Sequence, residues 1–528
     1  MHETLPFIIG IIAIVVLVEM LAEKLKVAYP VLLVMAGLLI SLIPSVPKIN
    51  LDPDMIFFIF LPPLLFEASW AISFKEMKKW WRIIGSFSFL VVFFTATCVA
   101  LFTNHFIPGF SLALGFLLGG IVSPPDAVSA GAILKFVKVP KSTSTVLEGE
   151  SLLNDASSLI IFRFALVAVG SGQFIWSNAI LSFSWMLFGG AAIGLLLGWI
   201  FMKAHKKLPT DAPSDISFTL IEPYILYWVA EQLHSSGVLA VVCGGLFLSN
   251  RRLEFLSSES RLMGYSFWQS FVFILNGIVF FIIGLDLPEV VNSLHNVGIP
   301  LRTGIYYGVI VTVFIILIRI ISSYIALFAT LIFRRSVVSP NFSFRRSWSM
   351  PLVLGWTGMR GVVSLASALS IPVYLSSGEN FPQRELILFI SFMVIILTLF
   401  VQGLTLPFII KRVRVFRQDM DEPYDAASLR VKRELWQYSI DVIQNKYREH
   451  LDKNFLLAST LSHWQEKLNA AEETLITPEA QHVYLELLET QRQFLIEKNK
   501  EPNLNEDIIR TQIYLIDLEE EKIRTLCG

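Results

Sequence analysis

Residues 148–166 read EGESLLNDASSLIIFRFAL. Glu148, Glu150, Asp155 and Arg163 stand there with Ser151 and Asn154, in a stretch otherwise apolar enough for a membrane. An Asp or Arg at the centre of a membrane helix costs roughly 2.5–3.5 kcal/mol, and each Leu, Ile or Phe returns only about 0.3–0.6. The local apolar residues do not offset Glu150, Asp155 and Arg163. The segment must therefore face protein or a water-filled cavity, and its polar groups need partners. Helical spacing puts Ser151 and Asp155 on one face and Glu150 and Asn154 on the next. With a helix start near Glu148, Asp155 lies roughly 10 Å in, near mid-depth.

Two other segments pair polarity with a break in the helix. Ser123-Pro124-Pro125-Asp126 loses two backbone donors and frees carbonyls that lipid cannot satisfy. Gly355-Trp356-Thr357-Gly358-Met359-Arg360-Gly361 is glycine-rich with a cation inside. Such backbone survives at membrane depth only when buried in protein or lining a cavity. Glu67, in FLPPLLFEASW, falls in the inner half of its own span. Asp155, Asp126, Glu67 and Ser151 can thus converge at one depth, with Arg360 holding part of the charge. Hard monovalent cations prefer such oxygen ligands, and the Pro125 carbonyl is a further candidate. Desolvation and like charge disfavour the ionised form of a buried carboxylate, so such a group can hold a proton or a cation in turn.

The elements that position these residues are membrane spans. The chain has 528 residues, 54% hydrophobic and only 16% charged, against about a quarter charged in soluble domains. Windows of about 20 apolar residues start near Pro6, Tyr29, Asp54, Ile83, Ser111, Ser151, Trp176, Ser217, Ser236, Ser266, Leu301, Trp348 and Glu385, about thirteen spans. Every odd-numbered span ends in a basic cluster, among them KEMKKWWR (75–82), KAHKK (203–207), Arg334-Arg335 with Arg345-Arg346 behind, and KRVRVFR (411–417). Basic residues collect on the cytoplasmic side, which puts the N-terminus outside and the C-terminus inside. The breaks fall in spans five and twelve, an odd offset, so those spans run in opposite directions. That is the pattern of two inverted six-helix repeats, spans one to six matching eight to thirteen, with a transport site at the midplane. The fold class is an all-α membrane domain over 1–417 and a water-facing helical tail over 418–528.

At these residues the sequence resembles the sodium/proton exchanger family, the bacterial NhaP and animal NHE branch of the monovalent cation:proton antiporters. The stretches are FLPPLLFEA (60–68), SPPDAVSAGAI (123–133), EGESLLNDAS (148–157), AEQLHSSGVLAVVCGGL (230–246) and GWTGMRGVVSLA (355–366). The resemblance implies that Asp155 binds cation and proton in turn. Ser151 and Asp126 complete the ion shell, with Glu67 close by. Asn154 orients the site as the neutral member of an Asn-Asp pair, which in this family goes with electroneutral exchange of one cation for one proton. Glu150 and Arg360 form a buried pair bridging spans six and twelve. Arg163 lies outside the core motif, with no partner assigned. The family break more often reads Thr-Asp-Pro where this chain has Pro125-Asp126-Ala127, which leaves Na⁺ against K⁺ open. The resemblance also implies a homodimer in the plasma membrane, acting in pH and sodium homeostasis.

The bland readings stand beside these. Cys98, Cys243 and Cys527 form no disulfide framework. MHETLP lacks a basic n-region, so the first apolar run reads as a retained span rather than a signal peptide. Glu19, Glu231 and Asp286 read as structural. Gly149-Glu150-Ser151 loosely resembles the serine motif of intramembrane proteases, but that chemistry needs a histidine base near the serine, His105, His234 and His295 fall on the outer side, and no His-Glu-x-x-His motif is present. No enzyme activity and no cofactor beyond the transported ions are expected. A net charge of −1 carries no argument for nucleic acid, and none is expected as a partner. The tail is expected to bind a cytoplasmic regulator or the partner subunit, or to support the dimer.

Overall fold

Apolar segments that leave water must satisfy their backbone internally, and helices do so within one segment. The computed structural model describes residues 4–43, 53–134, 137, 141–171, 182–333, 349–375, 378–413, 424–451, 454–469, 478–498 and 506–527. Every element among them is helical, apart from an isolated bridge between Tyr374 and Asn380. Eight stretches of the described residues are long and apolar enough to cross a membrane, from Pro6–Leu25 through Arg384–Arg412. Tyr29–Ser41 and Phe57–Ala71 are shorter apolar helices. The basic clusters at Arg334-Arg335 and Arg345-Arg346, the span start at Trp176 and the end of KRVRVFR lie outside the described residues.

Two helix starts differ most from the sequence expectation. The helix expected from about Ser151 begins at Lys141 and runs to Ser171. Asp155 therefore sits near its middle, not two turns from its start. The polar residues 141–145 extend the helix, and the Ser144 hydroxyl donates to Glu148 on its surface at 2.6 Å. The helix expected from Ile83 begins at Phe74, capped by Ser73, so the basic run KEMKKWWR forms its first turns. A cap and an amphipathic sequence extend a helix beyond its apolar part, which a hydropathy window does not register.

Leu117, Leu118, Ile121, Phe280, Phe281, Phe389 and Phe392 are fully buried in the core around the breaks. The Tyr29–Ser41 and Ser258–Asn296 helices touch backbone to backbone, because a Cβ at Gly284 would strike the Val34 carbonyl. Among the described residues, three helices carry a π-helical turn, at Ser86–Val91, Trp185–Gly189 and Thr398–Gln402. Each lends a group to a neighbour: the Ser88 carbonyl accepts from Ser157, the Met186 carbonyl from the Ser236 N–H, and the Thr398 hydroxyl from the Arg360 N–H. Residues Asp419–Gly528 form a second unit. Its last two helices, Pro478–Lys498 and Glu506–Cys527, are joined by Arg492 to Asp517 and Glu520.

Candidate functional site

The Leu112–Val122 helix stops at the double proline, and a new one begins at Ala127 and runs to Leu134. Asp126 caps the new helix. Its Oδ1 accepts from the Val128 N–H at 3.1 Å, and its Oδ2 accepts from the Ser129 N–H at 3.2 Å and the Ser129 hydroxyl at 2.5 Å. The Ser349–Trp356 helix likewise stops, and Val362–Leu369 begins after Gly361. The two interruptions touch: the Asp126 N–H donates to the Met359 carbonyl at 2.7 Å. Gly361 permits this approach, since a Cβ there would overlap the Asp126 carboxylate.

The Lys141–Ser171 helix packs its polar face on the first interruption. The Ala127 N–H donates to Ser151 Oγ at 3.0 Å. The Pro125 carbonyl accepts from Asn154 Nδ2 at 3.2 Å and from Ser151 Oγ at 3.4 Å. Asp155, one turn beyond Ser151, is buried, and among the described residues no donor reaches its carboxylate. The neighbouring face of the helix is tied down too: the Ser88 hydroxyl donates to the Glu150 carbonyl at 3.1 Å.

Glu150 is fully buried, and its carboxylate lies 2.5 Å from the guanidinium of Arg319, itself 1% exposed. The pair expected between Glu150 and Arg360 is thus corrected to Glu150 with Arg319. The physical reason is that Arg360 is turned back into its own interruption, where its Nη1 donates to the Gly358 carbonyl at 2.7 Å. Arg360 is also fully buried, so two buried cations accompany Glu150. Glu67 stands apart from this network, in the wall of a cavity of about 800 Å³ shared with Trp70, Asp215, Ser260 and Trp268.

These motifs have known relatives. The transmembrane sodium/hydrogen exchanger family matches residues 10–412. The chain belongs to this family. It is 32% identical over 391 residues to a low-affinity Na⁺/H⁺ antiporter of Synechocystis, covering 73% of this chain and 69% of that one. It is 31% identical over 388 residues to a sodium, potassium, lithium and rubidium/H⁺ antiporter of Bacillus subtilis, covering 72% of this chain and 57% of that one. In fold it resembles the sodium proton antiporter MjNhaP1 of Methanocaldococcus jannaschii, with a TM-score of 0.61, 18% identity, and coverage of 78% of this chain and 99% of that one. The chain is therefore a multi-pass membrane protein of a transporter family, not of a family of catalytic enzymes.

For an exchanger of this family, the partner of Arg163 becomes visible. Its guanidinium pairs with Glu231 at 2.7 Å, and Glu231 also accepts from the Gly237 N–H at 3.1 Å. This contact joins the Asp155 helix to AEQLHSSGV. Sequence reasoning missed Arg319, Ser129, Thr398 and the cluster His205, Asp215 and Glu222. Arg319 carried a usable signal, a lone cation in the apolar run FIILIRIISS. It carries the same penalty as Arg163 and requires a partner by the same argument. Ser129 and Thr398 carried none, because hydroxyls in membrane helices commonly bond their own turn.

Proposed function

We propose that the protein exchanges Na⁺ or Li⁺ for H⁺ across the plasma membrane, one for one, with Asp155 holding cation and proton in alternate steps. The observation that carries this reading is the contrast between two acidic groups. Asp126 is committed to three donors that all require acceptor oxygens, whereas Asp155 is buried, next to the interruption, and uncommitted. A fixed carboxylate supplies charge; a free one can take a ligand. Ser151 keeps a lone pair for the cation, since a hydroxyl offers two and the Ala127 N–H uses one. Asp126 Oδ1 has spare capacity as well. The Pro125 carbonyl joins only by releasing Ser151, whose 3.4 Å bond is the longer of its two. Asn154, Glu150, Arg360 and Arg163 support the site, and Glu67 lies on the path to it.

Charge counting supports the stoichiometry. Buried charges must be balanced. Around the two interruptions, the carboxylates Glu150 and Asp126 equal in number the guanidiniums Arg319 and Arg360. Asp155 remains, and one proton or one monovalent cation neutralises it. Glu67, in the cavity wall, is screened by solvent. The cycle then moves no net charge, and the membrane potential does not drive it. Alternating access follows from thirteen spans in two inverted repeats, N-terminus outside, with the cavity beside Glu67 open to the cytoplasm where Arg252 and Arg261 line it. The membrane unit is a homodimer, and the tail beyond residue 417 is a cytoplasmic regulatory or dimer-supporting domain.

The alternative is K⁺/H⁺ or broad alkali-cation exchange. It draws on the Bacillus relative and on Pro125, which removes a hydroxyl from the interruption. The test is proton flux in proteoliposomes carrying a pH dye, with Na⁺, Li⁺ or K⁺ added to an imposed pH gradient. Dissipation by Na⁺ and Li⁺, lost in Asp155→Asn and unchanged when the potential is clamped, is expected. Equal dissipation by K⁺ would favour the alternative, and flux retained in the variant would overturn the assignment of Asp155.

A further inference from the structure

The Phe74–Phe106 helix is 33 residues long, roughly 50 Å against a bilayer core of about 30 Å. The apolar residues from Ile83 onward cross the core by themselves, so residues 74–82 stand at headgroup level. Lys75, Lys78, Lys79 and Arg82 fall there within an arc of about 100° around the helix. Phe74 and Trp81 edge that arc, 38% and 58% exposed, and the Arg82 guanidinium lies over the Trp81 ring, 5.2 Å from its centre. Exposed aromatic rings beside a basic stripe suit a helix seated in a lipid interface.

Inside the protein these charges lack a counterpart. Among the described residues no carboxylate pairs with Lys75, Lys78 or Arg82, and Glu76 falls outside the basic arc. Lys75 and Lys78 also stand in the first turns, where the helix dipole presents its positive end. Like charges gathered at that end call for an external anion. At headgroup depth the anion is the phosphate of an anionic lipid, which draws polybasic segments to a membrane surface.

The opposite face of these turns is packed on the helix that carries Asp155. Met77, Trp80 and Ile84 share an apolar cluster with Val146, Leu147 and Leu153 of Lys141–Ser171. Ile84 approaches Gly149 so closely that a Cβ there would lie 2.7 Å from its Cδ1. One turn on, the Ser88 hydroxyl donates to the Glu150 carbonyl, and the Ser88 carbonyl accepts from Ser157. Whatever steadies the basic turns therefore steadies the Asp155 helix.

We propose that the basic, aromatic start of the Phe74–Phe106 helix binds the headgroups of anionic phospholipids, and that their occupancy speeds exchange by holding this start against the Asp155 helix. Without the lipid, repulsion among the lysines and the helix dipole loosens the first turns and the apolar cluster beneath them. The effect on exchange rests on the antiport reading above; the binding does not.

The test pairs two charge-matched variants of the full chain. Lys75→Gln with Lys78→Gln removes two charges from the proposed surface. Lys203→Gln with Lys207→Gln removes two exposed charges from the end of the Gly190–Lys207 helix, another basic cluster. Sodium uptake at saturating sodium is measured in vesicles of phosphatidylcholine alone or mixed with phosphatidylglycerol, and native mass spectrometry of the purified protein in mixed micelles counts the phosphatidylglycerol retained. Phosphatidylglycerol is expected to raise wild-type exchange by about threefold or more, and loss of Lys75 and Lys78 to weaken headgroup binding by about 30-fold. The first variant should then run at the phosphatidylcholine rate in both vesicles and retain less phosphatidylglycerol, while the second keeps the wild-type response. A lipid response that persists in the first variant, or that is lost equally in both, would overturn the proposal. So would inorganic phosphate replacing the lipid in phosphatidylcholine vesicles. Absence of Asp155-dependent exchange in the wild type would overturn the antiport reading, and the retained-lipid count would still decide this one.

Discussion

The two interruptions that meet at the site solve the same backbone problem in opposite ways. Residues 123–126 rely on prolines, and the break closes on itself: Asp126 satisfies the first amides of the following helix with its own side chain. Residues 357–361 rely on glycines and borrow from outside. The Arg360 N–H goes to Thr398 on a neighbouring helix at 3.2 Å, and the guanidinium folds back on the Gly358 carbonyl. The first break presents a fixed negative charge and the second a fixed positive one. They cross at the Asp126 N–H and the Met359 carbonyl. On the proposed reading, a site whose permanent charges balance in number responds to a single mobile one, so the uncommitted Asp155 would matter more than the carboxylate count.

The sharpest way to break this comparison is through the buried ion pair that accompanies it. Glu150→Leu alone leaves Arg319 buried and unpaired, and is expected to destabilise the protein by about 3–5 kcal/mol. The double variant Glu150→Leu with Arg319→Leu should recover most of that loss, as replacing a whole buried pair is often neutral. Thermal unfolding in detergent reads both. Recovery by Arg360→Leu in place of Arg319→Leu would restore the pairing expected from sequence and undo the charge count.

Next in size is Gly361→Ala. The new methyl would occupy the space of the Asp126 carboxylate, and overpacking of this kind costs about 1–3 kcal/mol. The same change should lower sodium-driven proton flux by displacing Asp126 from its cap. An unaffected variant would mean that the two breaks separate freely. Thr398→Val tests the borrowed half: the Arg360 N–H loses its acceptor while the hydrocarbon bulk stays, for about 1–3 kcal/mol. Ser129→Ala, which leaves Asp126 two backbone donors, should disturb its break less than Thr398→Val disturbs the other.

How far the sequence carried these conclusions depends on whether a residue's role is priced locally. Glu150, Asp155 and Arg163 were legible because charge in an apolar run demands a partner, and the proline and glycine clusters were legible because backbone must be satisfied. The identity of the partners was not. Glu150 and Arg319 are far apart in the chain, and only packing brings the guanidinium to the carboxylate. Thr398 looks like any hydroxyl in a membrane helix until a π-helical turn presents it to Arg360. The early starts at Lys141 and Phe74 were missed for a related reason, since polar helical turns fall outside an apolar window. His205 went unread because KAHKK looks like a basic cluster at a span end, and its carboxylate partners sit on the next helix.

The mildest effect is expected where the Asp155 helix meets AEQLHSSGV. Arg163 and Glu231 are 2.7 Å apart, but their side chains are 41% and 26% exposed, against 1% for both members of the Glu150–Arg319 pair. Solvent screens such a pair, and exposed ion pairs contribute about 0–1 kcal/mol. Glu231 also keeps its bond from the Gly237 N–H when the guanidinium is gone. Arg163→Gln should therefore shift the unfolding temperature little, and raised salt should shrink even that difference, because screening has already removed most of the attraction. Exchange should stay close to wild type. A large loss of flux with unchanged stability would show that the contact matters only in passing between states. The charge balance at the crossing would then need to include a residue two turns away from Asp155, outside both breaks.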